Sequence, residues 1–457
     1  MIRERLAFTL ATPAQAGVRV AAQLPIDTVA EPVAVEESAS GDGFIGLMLF
    51  TAVLFIRPQD QIPGLAMLHL AEIAALVGLV PMISGRLSRG LTPVPVTTET
   101  TLLVGFGLVI VGTAPFSVWP GGTIALFAQI YVKALVVFLL MISTLNSPAR
   151  LERFTWLILV CIGYVAFRGA LSYARGVNLV EDDRLAGPVS GIFGNPNDLA
   201  LNMVTFLPFA ITVALSRLRP GGRRFAASAI ALLMVATVVF SKSRGGALGL
   251  FVMVTSLAIL ARRINPGAGV AAVVALLIIA PLAPSSFWNR MASIVDARQD
   301  EKEFTGSREA RRLLIEEALR TFAEQPLTGI GAGQFRNYNP PGRQVPWRET
   351  HNVLLQVAAE TGIAGLILFV ALIWRGGSAA TRTRRLLLSS PTSGAFAMTE
   401  RERDLMHEYS VAALAAIIGW FCCAMFASVA YNWTFYYLLG LLVSAREITA
   451  DRWRARV

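Results

Sequence analysis

Charge is what this chain has least of. Of its 457 residues only 15% are Asp, Glu, Lys or Arg, against 54% hydrophobic, where soluble domains carry about 25% and about 45–50%. That excludes an ordinary soluble globule. Histidine is almost as scarce, with three residues, and cysteine also numbers three. Cys161, Cys422 and Cys423 all sit in apolar runs. Their spacing forms no metal motif, and the adjacent pair is poorly placed for a structural disulfide, so they read as small packing residues. No cluster of metal-ligating residue types occurs, and a metal site is not expected. Gly329-Ile-Gly-Ala-Gly333 lacks the strand and the remaining spacing of a nucleotide loop and reads as a turn. Residues 1–43 lack an apolar stretch of signal-peptide length and mix Ala, Val, Pro, Glu and Arg without periodicity. A disordered tail is expected there.

What is present is hydrocarbon-matching sequence. Mean hydropathy is +0.58, and a helix crosses a bilayer with about 20 apolar residues. Candidate spans are 44–56, 63–83, 101–118, 124–145, 151–173, 197–216, 224–240, 244–261, 267–283, 352–374, 410–428 and 432–446. The first and last are short, and 44–56 with 63–83 allow a partly re-entrant pair. The expected fold is all-α, a polytopic membrane protein of about twelve transmembrane helices. The net charge of +10 would point to nucleic acid in a soluble protein. Here most arginines fall in short loops, where they encode topology, and nucleic acid is not an expected partner. The bilayer is.

With the N-terminus inside, the inner loops hold Arg86 and Arg89, Arg150 and Arg153, Arg217 to Arg224, Arg262 and Arg263, and the many arginines of 375–409. The tail from 447 to 457 also lies inside. The short outer loops hold only Arg57, Arg175, Arg184, Lys242 and Arg244. The division is therefore a cytoplasmic tail (1–43), nine spans (44–283), one long outer loop (284–351), three spans (352–446) and a cytoplasmic tail (447–457). Within the loop, Ser307 can cap a helix running to about Glu324. Ala310, Leu313, Leu314, Ala318, Leu319 and Phe322 recur at helical spacing. Arg312–Glu316 and Glu316–Arg320 pair one turn apart, and Pro326 stops the helix. It suits a lid or a lipid-surface helix.

Few residues are placed for chemistry. His351 is the one histidine at the outer face, and imidazole suits abstraction of a hydroxyl proton; the bland alternative is an interfacial histidine beside a helix capped by Thr350. Arg244 lies in Ser241-Lys-Ser-Arg-Gly-Gly246, where glycines let backbone approach a ligand and guanidinium grips phosphate bidentately; the alternative is a lipid-facing arginine. Arg184 opens a Gly-, Pro- and Asn-rich outer segment in which Asn197 or Asp198 can cap the next helix, whose N-terminus favours anions; the alternative is a surface pair with Asp182 or Asp183. Lys133 and Arg168 lie inside apolar spans, at a cost of roughly 2.5–3.5 kcal/mol for a mid-span charge. Arg168 can snorkel; Lys133 needs a partner, with Glu72 and Glu360 at matching depth. Two outer arginines, a helix N-terminus and a histidine together suit transfer of a glycan from a lipid diphosphate, with the arginines neutralising the departing diphosphate.

Four segments in order now carry a resemblance. They are Arg184…Gly191-Ile-Phe-Gly-Asn-Pro-Asn197-Asp-Leu-Ala; Ser243-Arg-Gly-Gly246; Pro326-Leu-Thr-Gly-Ile-Gly-Ala-Gly-Gln-Phe335; and Glu349-Thr-His-Asn-Val-Leu-Leu-Gln356…Glu360-Thr-Gly362. Together they resemble the O-antigen ligase and polysaccharide polymerase superfamily over roughly 180–365. Ile56-Arg-Pro-Gln-Asp60…Ile62-Pro-Gly64 is similar to the O-glycosylation ligases of exosortase-type systems. The resemblance implies a GT-C-like, metal-independent glycosyltransferase of the bacterial inner membrane, without cofactor, whose 284–351 loop is periplasmic. It implies that Arg184 and Arg244 bind undecaprenyl diphosphate, with Arg175 as the substitute for Arg184. It implies that His351 activates the acceptor or orients the diphosphate. Asn195, Asn197, Lys242, Ser243, Arg348 and Asn352 flank these three and complete the substrate-binding set. The acceptor is lipid A core, protein or glycan. A repeat-unit polymerase uses the same donor. A transporter or flippase would favour internal repeats and midplane charge, and no repeat is seen.

Overall fold

A computed structural model describes residues 43–181, 183–189, 191–262, 267, 274, 281, 283–293, 307–389 and 398–454. The fold is all-α, and nine helices among the described residues are long and apolar enough to cross a membrane. The protein is a polytopic membrane protein. The expected tail 1–43 lies outside the described residues except for Gly43, as does nearly all of the expected span 267–283.

The chain begins with α1 (Phe44–Ile56), short α2 (Pro58–Gln61) and α3 (Leu70–Leu87). At 13 residues, α1 reaches about 20 Å, well short of a roughly 30 Å hydrocarbon core. It packs tightly on α3: a Cβ on Gly46 would fall 2.1 Å from the backbone nitrogen of Gly78, the small-on-small approach that joins helices in lipid. Next come α4 (Thr98–Thr113), α5 (Pro120–Leu126), a π-turn over Phe127–Tyr131 and α6 (Val132–Thr144). Lys133 on α6 meets Glu72 on α3 at 3.0 Å. Of the two acids at matching depth, the fold selects Glu72.

Then follow α7 (Pro148–Ala174), α8 (Pro196–Leu215), α9 (Gly221–Phe240) and α10 (Arg244–Ala261). Short α11 (Ser285–Ala292) and α12 (Ser307–Glu324) precede α13 (Val353–Leu388), α14 (Glu400–Ala424) and α15 (Trp433–Arg454). Every residue of α15 from Phe435 to Ala445 is buried, with Phe435, Tyr436, Tyr437 and Leu438 fully enclosed. A helix apolar all round belongs at the centre of a bundle, and α15 holds that place.

Three boundaries differ from expectation, and one is that of α15, which runs on to Arg454 and takes in most of the expected tail 447–457. The span 352–374 continues as helix to Leu388, so Arg375, Arg382, Arg384 and Arg385 lie on α13 and not in a loop. Hydropathy marks where hydrocarbon ends, but Gly376, Ala379, Ala380, Thr383 and Leu387 still present a buried face that keeps the helix packed. Likewise α14 starts at Glu400, where Thr399 and Glu402 form a reciprocal capping box.

The arginines of this end do structural work. Glu99, wholly buried, accepts from Arg375 Nε at 2.7 Å and from both terminal nitrogens of Arg446 at 2.7 and 3.1 Å. The three residues tie α4, α13 and α15 together. Glu99→Ala leaves a buried Arg446 without its main counter-charge, and stability is expected to fall by about 3–5 kcal/mol. A thermal midpoint in detergent equal to that of the parent chain would refute this.

Within α13 the helix breaks at Gly362, with φ 66 and ψ −167, a region open in practice to glycine alone. The break admits the 326–333 turn. Pro326 O accepts from Ile363 N at 2.7 Å, Glu360 O from Gly331 N at 2.9 Å, and the Glu360 carboxylate from Gly333 N and Phe335 N at 2.9 and 3.1 Å. Gly329, Gly331 and Gly333 all have positive φ, as a turn of this tightness requires. Glu360 is thereby a structural clamp and not the partner of Lys133.

The lid candidate α12 has the expected bounds, but its buried face differs. Leu314, Glu317, Ala318 and Thr321 turn inward, while Leu319 is 50% exposed. Leu314 and Ala318 join Ile330, Phe335 and Ala359 in a small separate core that seats α12 on the start of α13. The Arg312–Glu316 pair forms at 3.0 Å, but Arg320 turns to Glu317 at 3.8 Å instead of Glu316.

Candidate active site at one end of the bundle

Arg184 is delivered by a two-stranded hairpin after α7, in which β1 (Leu179–Val180) pairs antiparallel with β2 (Arg184–Leu185). Its guanidinium is buried and engaged. Nε donates to Ser241 O at 3.2 Å, Nη2 donates to Asn197 Oδ1 at 2.8 Å, and Nη1 lies 3.9 Å from Glu181. Glu181 is an acidic neighbour of Arg184 that the sequence did not single out; Asp182, one of the two partners expected for Arg184, lies outside the described residues. Asn197 Oδ1 also accepts from Ser243 Oγ at 2.8 Å, so one amide oxygen joins the first and second arginine-bearing segments. Asn197 is therefore not the helix cap. Asn195 caps α8, its Oδ1 accepting from Asn197 N and Asp198 N at 2.9 Å each. Pro196 at the first helical position places Asn195 in the extended conformation a cap needs. Arg175 is exposed at the C-terminus of α7.

Lys242 is buried with φ 48, and Ser243 caps α10 by accepting from Gly246 N at 3.1 Å. Arg244 is thus the first residue of α10. It is 9% exposed; Nε donates to Arg290 O at 3.2 Å and Nη2 donates to Ser293 Oγ. Short α11 fixes the guanidinium from the far side. The two glycines beside Arg244 allow close packing within the bundle. A Cβ on Gly245 would fall 2.7 Å from Phe426 Cβ, and one on Gly246 would fall 2.5 Å from Ala200 Cβ.

His351 sits just before α13 with φ 50, a left-handed conformation uncommon for a residue with a side chain. The backbone is held there by Ser428, whose Oγ accepts from His351 N at 2.9 Å and meets Thr350 Oγ at 2.9 Å. The cap of α13 is Asn352, which accepts from Leu354 N and Leu355 N at 3.0 Å each. The Thr350 cap expected from sequence is not formed because its hydroxyl turns to Ser428. Neither imidazole nitrogen is hydrogen-bonded among the described residues. Burial, and then the positive charges of Arg311, Arg348 and Arg184, push the imidazole pKa down to about 4. The ring is neutral at physiological pH.

These pieces share one end of the bundle. The 425–432 hairpin between α14 and α15 is the link, with Phe426 against Gly245 and Ser428 beneath His351. Glu181 lies between Arg184 and Arg348, at 3.9 and 3.7 Å. Arg343 spans the stretch before His351: it donates to Phe335 O at 2.8 Å, to Tyr338 O and to Arg348 O at 2.9 Å, and lies over the Phe335 ring at 4.6 Å. Arg184, Arg244, His351, Asn195, Asn197, Lys242, Ser243, Arg348 and Asn352 all belong to this end. Lys133 does not; it faces α3. Arg168 neither snorkels freely nor reaches these groups, since Nη1 bonds Gln61 Oε1 and Tyr164 OH at 2.8 Å each.

Sequence reasoning missed Glu181, Ser293, Arg343 and Ser428. Only Ser428 left a signal, as a polar interruption between two apolar runs. The arrangement offers a neutral base, buried guanidiniums with fixed orientation and a capped helix start, a set suited to an anionic ligand and a hydroxyl acceptor.

Residues 229–370 match the family described as O-antigen ligase. This stretch takes in Arg244, the 326–335 turn and His351. No curated protein matches the chain.

Proposed function

We infer the reaction from one premise: the match over residues 229–370 places this membrane protein in the O-antigen ligase superfamily. Its proposed activity is transfer of a glycan from undecaprenyl diphosphate to an acceptor hydroxyl, on lipid A core or protein, at the periplasmic face of a bacterial inner membrane. Both termini are then cytoplasmic, in keeping with the distribution of arginine between loops.

The single observation that carries this reading is the junction of Arg184, Asn197 and Ser243 at the start of α10, with Arg244 next in sequence and a neutral His351 at the same end of the bundle. In the proposed mechanism Arg184 and Arg244 hold the diphosphate. His351 accepts the proton of the acceptor hydroxyl as its oxygen attacks the anomeric carbon. The bond from that carbon to the diphosphate oxygen breaks, and the arginines stabilise the negative charge that develops on the leaving group. Guanidinium charge supplies this stabilisation without a metal ion. Arg348 and Glu181, paired across the mouth, are placed to exchange partners when a phosphate enters.

The test uses the purified chain with an undecaprenyl-diphosphate glycan, candidate acceptors and a chelator of divalent metals. Release of undecaprenyl diphosphate with a glycosylated acceptor is expected. Loss of all transfer on chelation would remove the metal-independent part of the proposal, and absence of transfer to any hydroxyl acceptor would remove the rest. Block addition of one glycan marks a ligase; a ladder of growing chains marks a polymerase with the same donor.

A further inference from the structure

A second cavity lies at the opposite end of the bundle from His351, where α7 and α9 begin, α8 ends and α14 begins. It encloses about 270 Å3. Its depth is apolar, lined by Trp156, Leu159, Phe209, Val213 and Ala412. Its rim carries three arginines, Arg219, Arg223 and Arg401, and three glutamates, Glu152, Glu402 and Glu408, so the formal charges cancel. Much of the rim is already paired. Glu152 takes both Arg219 and Arg223, the latter at 2.9 Å, and Glu402 closes the cap of α14. Three buried polar atoms nevertheless lack a well-formed hydrogen bond among the described residues, Arg219 Nε, Glu408 Oε2 and the Tyr409 hydroxyl, with the Ser216 hydroxyl beside Glu408 and the Thr155 hydroxyl beside Tyr409. Each such buried group costs about 1–3 kcal/mol while unsatisfied.

The unmet groups include both a donor and an acceptor. A simple anion would meet Glu408, and a simple cation would meet the arginines. A ligand that carries both charges and a hydrocarbon tail satisfies all three features of the cavity. We propose that this cavity is a binding site for a phospholipid with a phosphoethanolamine headgroup. The phosphate lies against Arg219 and Arg223, the primary ammonium donates to Glu408 and Tyr409, and one acyl chain follows Leu159, Phe209 and Val213. Pockets between spans with basic rims are known to hold lipid headgroups, and the glutamate here selects for an N–H donor. Choline, with no N–H, leaves Glu408 unsatisfied, and glycerol headgroups bring a net negative charge against it.

Native mass spectrometry of the full chain, titrated with dioleoyl phosphatidylethanolamine, phosphatidylcholine and phosphatidylglycerol, reads this directly. One charge-assisted hydrogen bond corresponds to roughly tenfold in affinity, so ethanolamine lipid is expected to bind about tenfold more tightly than the other two. Glu408→Gln should reduce that preference to parity. Arg223→Gln, at a half-exposed position, should weaken all three lipids together. Ala412→Trp should fill the depth and remove the high-affinity lipid. Equal binding of the three lipids, a preference for the glycerol headgroup, or a preference that survives Glu408→Gln would each overturn the proposal. Glycan transfer takes no part in the readout, so this result stands or falls apart from the catalytic reading.

Discussion

His351→Ala is expected to slow glycan transfer by about 10²–10⁴-fold, the usual contribution of a positioned general base. Donor binding should change little, because the ring carries no charge at neutral pH. The pH profile separates this role from a structural one. The imidazole pKa lies at about 4 in the folded chain against 6.5 for the free group. A neutral base is therefore fully available from about pH 6 upward, and activity should fall only as pH drops toward 4. A profile with an acid limb near 6.5 would show that His351 is not in the environment described. The same shift bears on stability. Protons bind the unfolded chain more readily than the folded one, so this contribution is intact above 6.5 and is lost as pH falls from 6.5 toward 4. His351→Gln keeps much of the shape and should be as inactive as alanine if proton transfer is the function.

Arg244→Ala should reduce transfer by about 10²–10³-fold, the scale seen when one fixed donor to a developing negative charge is removed. Arg244→Lys restores the charge but not the planar fork that also reaches Arg290 O and Ser293 Oγ, so it is expected to recover only part of the rate. The control is Ser293→Ala, which leaves the guanidinium in place and removes one of its restraints. A modest loss of rate at an unchanged unfolding midpoint marks a positioning effect. If Arg244→Lys restores full activity, bidentate recognition is not required and the proposed role fails.

Several features were legible because they follow from composition and short-range pattern. Hydrocarbon-length apolar runs announced the helices, and apolar residues at helical spacing ahead of Pro326 announced α12. The helix caps show where that reasoning stops. Asn197 and Asp198 were the expected caps at the start of α8, where Asn195 takes the place, and Thr350 was expected before α13, where Asn352 does. Cap choice depended on which side chain another element claimed: Arg184 took Asn197, and Ser428 took Thr350. The same competition assigned Lys133 to Glu72 and Glu360 to the 331–335 backbone, although depth in the membrane left both pairings open.

By itself, then, the sequence determined that this chain lives in a bilayer and roughly where its helices run, since water and hydrocarbon sort residue types whatever their neighbours. Only the tertiary structure decided that Arg184, Arg244 and His351 gather at one end of the bundle, that Ser428 and Ser293 hold two of them, and that the imidazole is neutral. Those outcomes depend on contacts between segments tens to hundreds of residues apart, and on burial and charge summed over all of them, which no local pattern encodes.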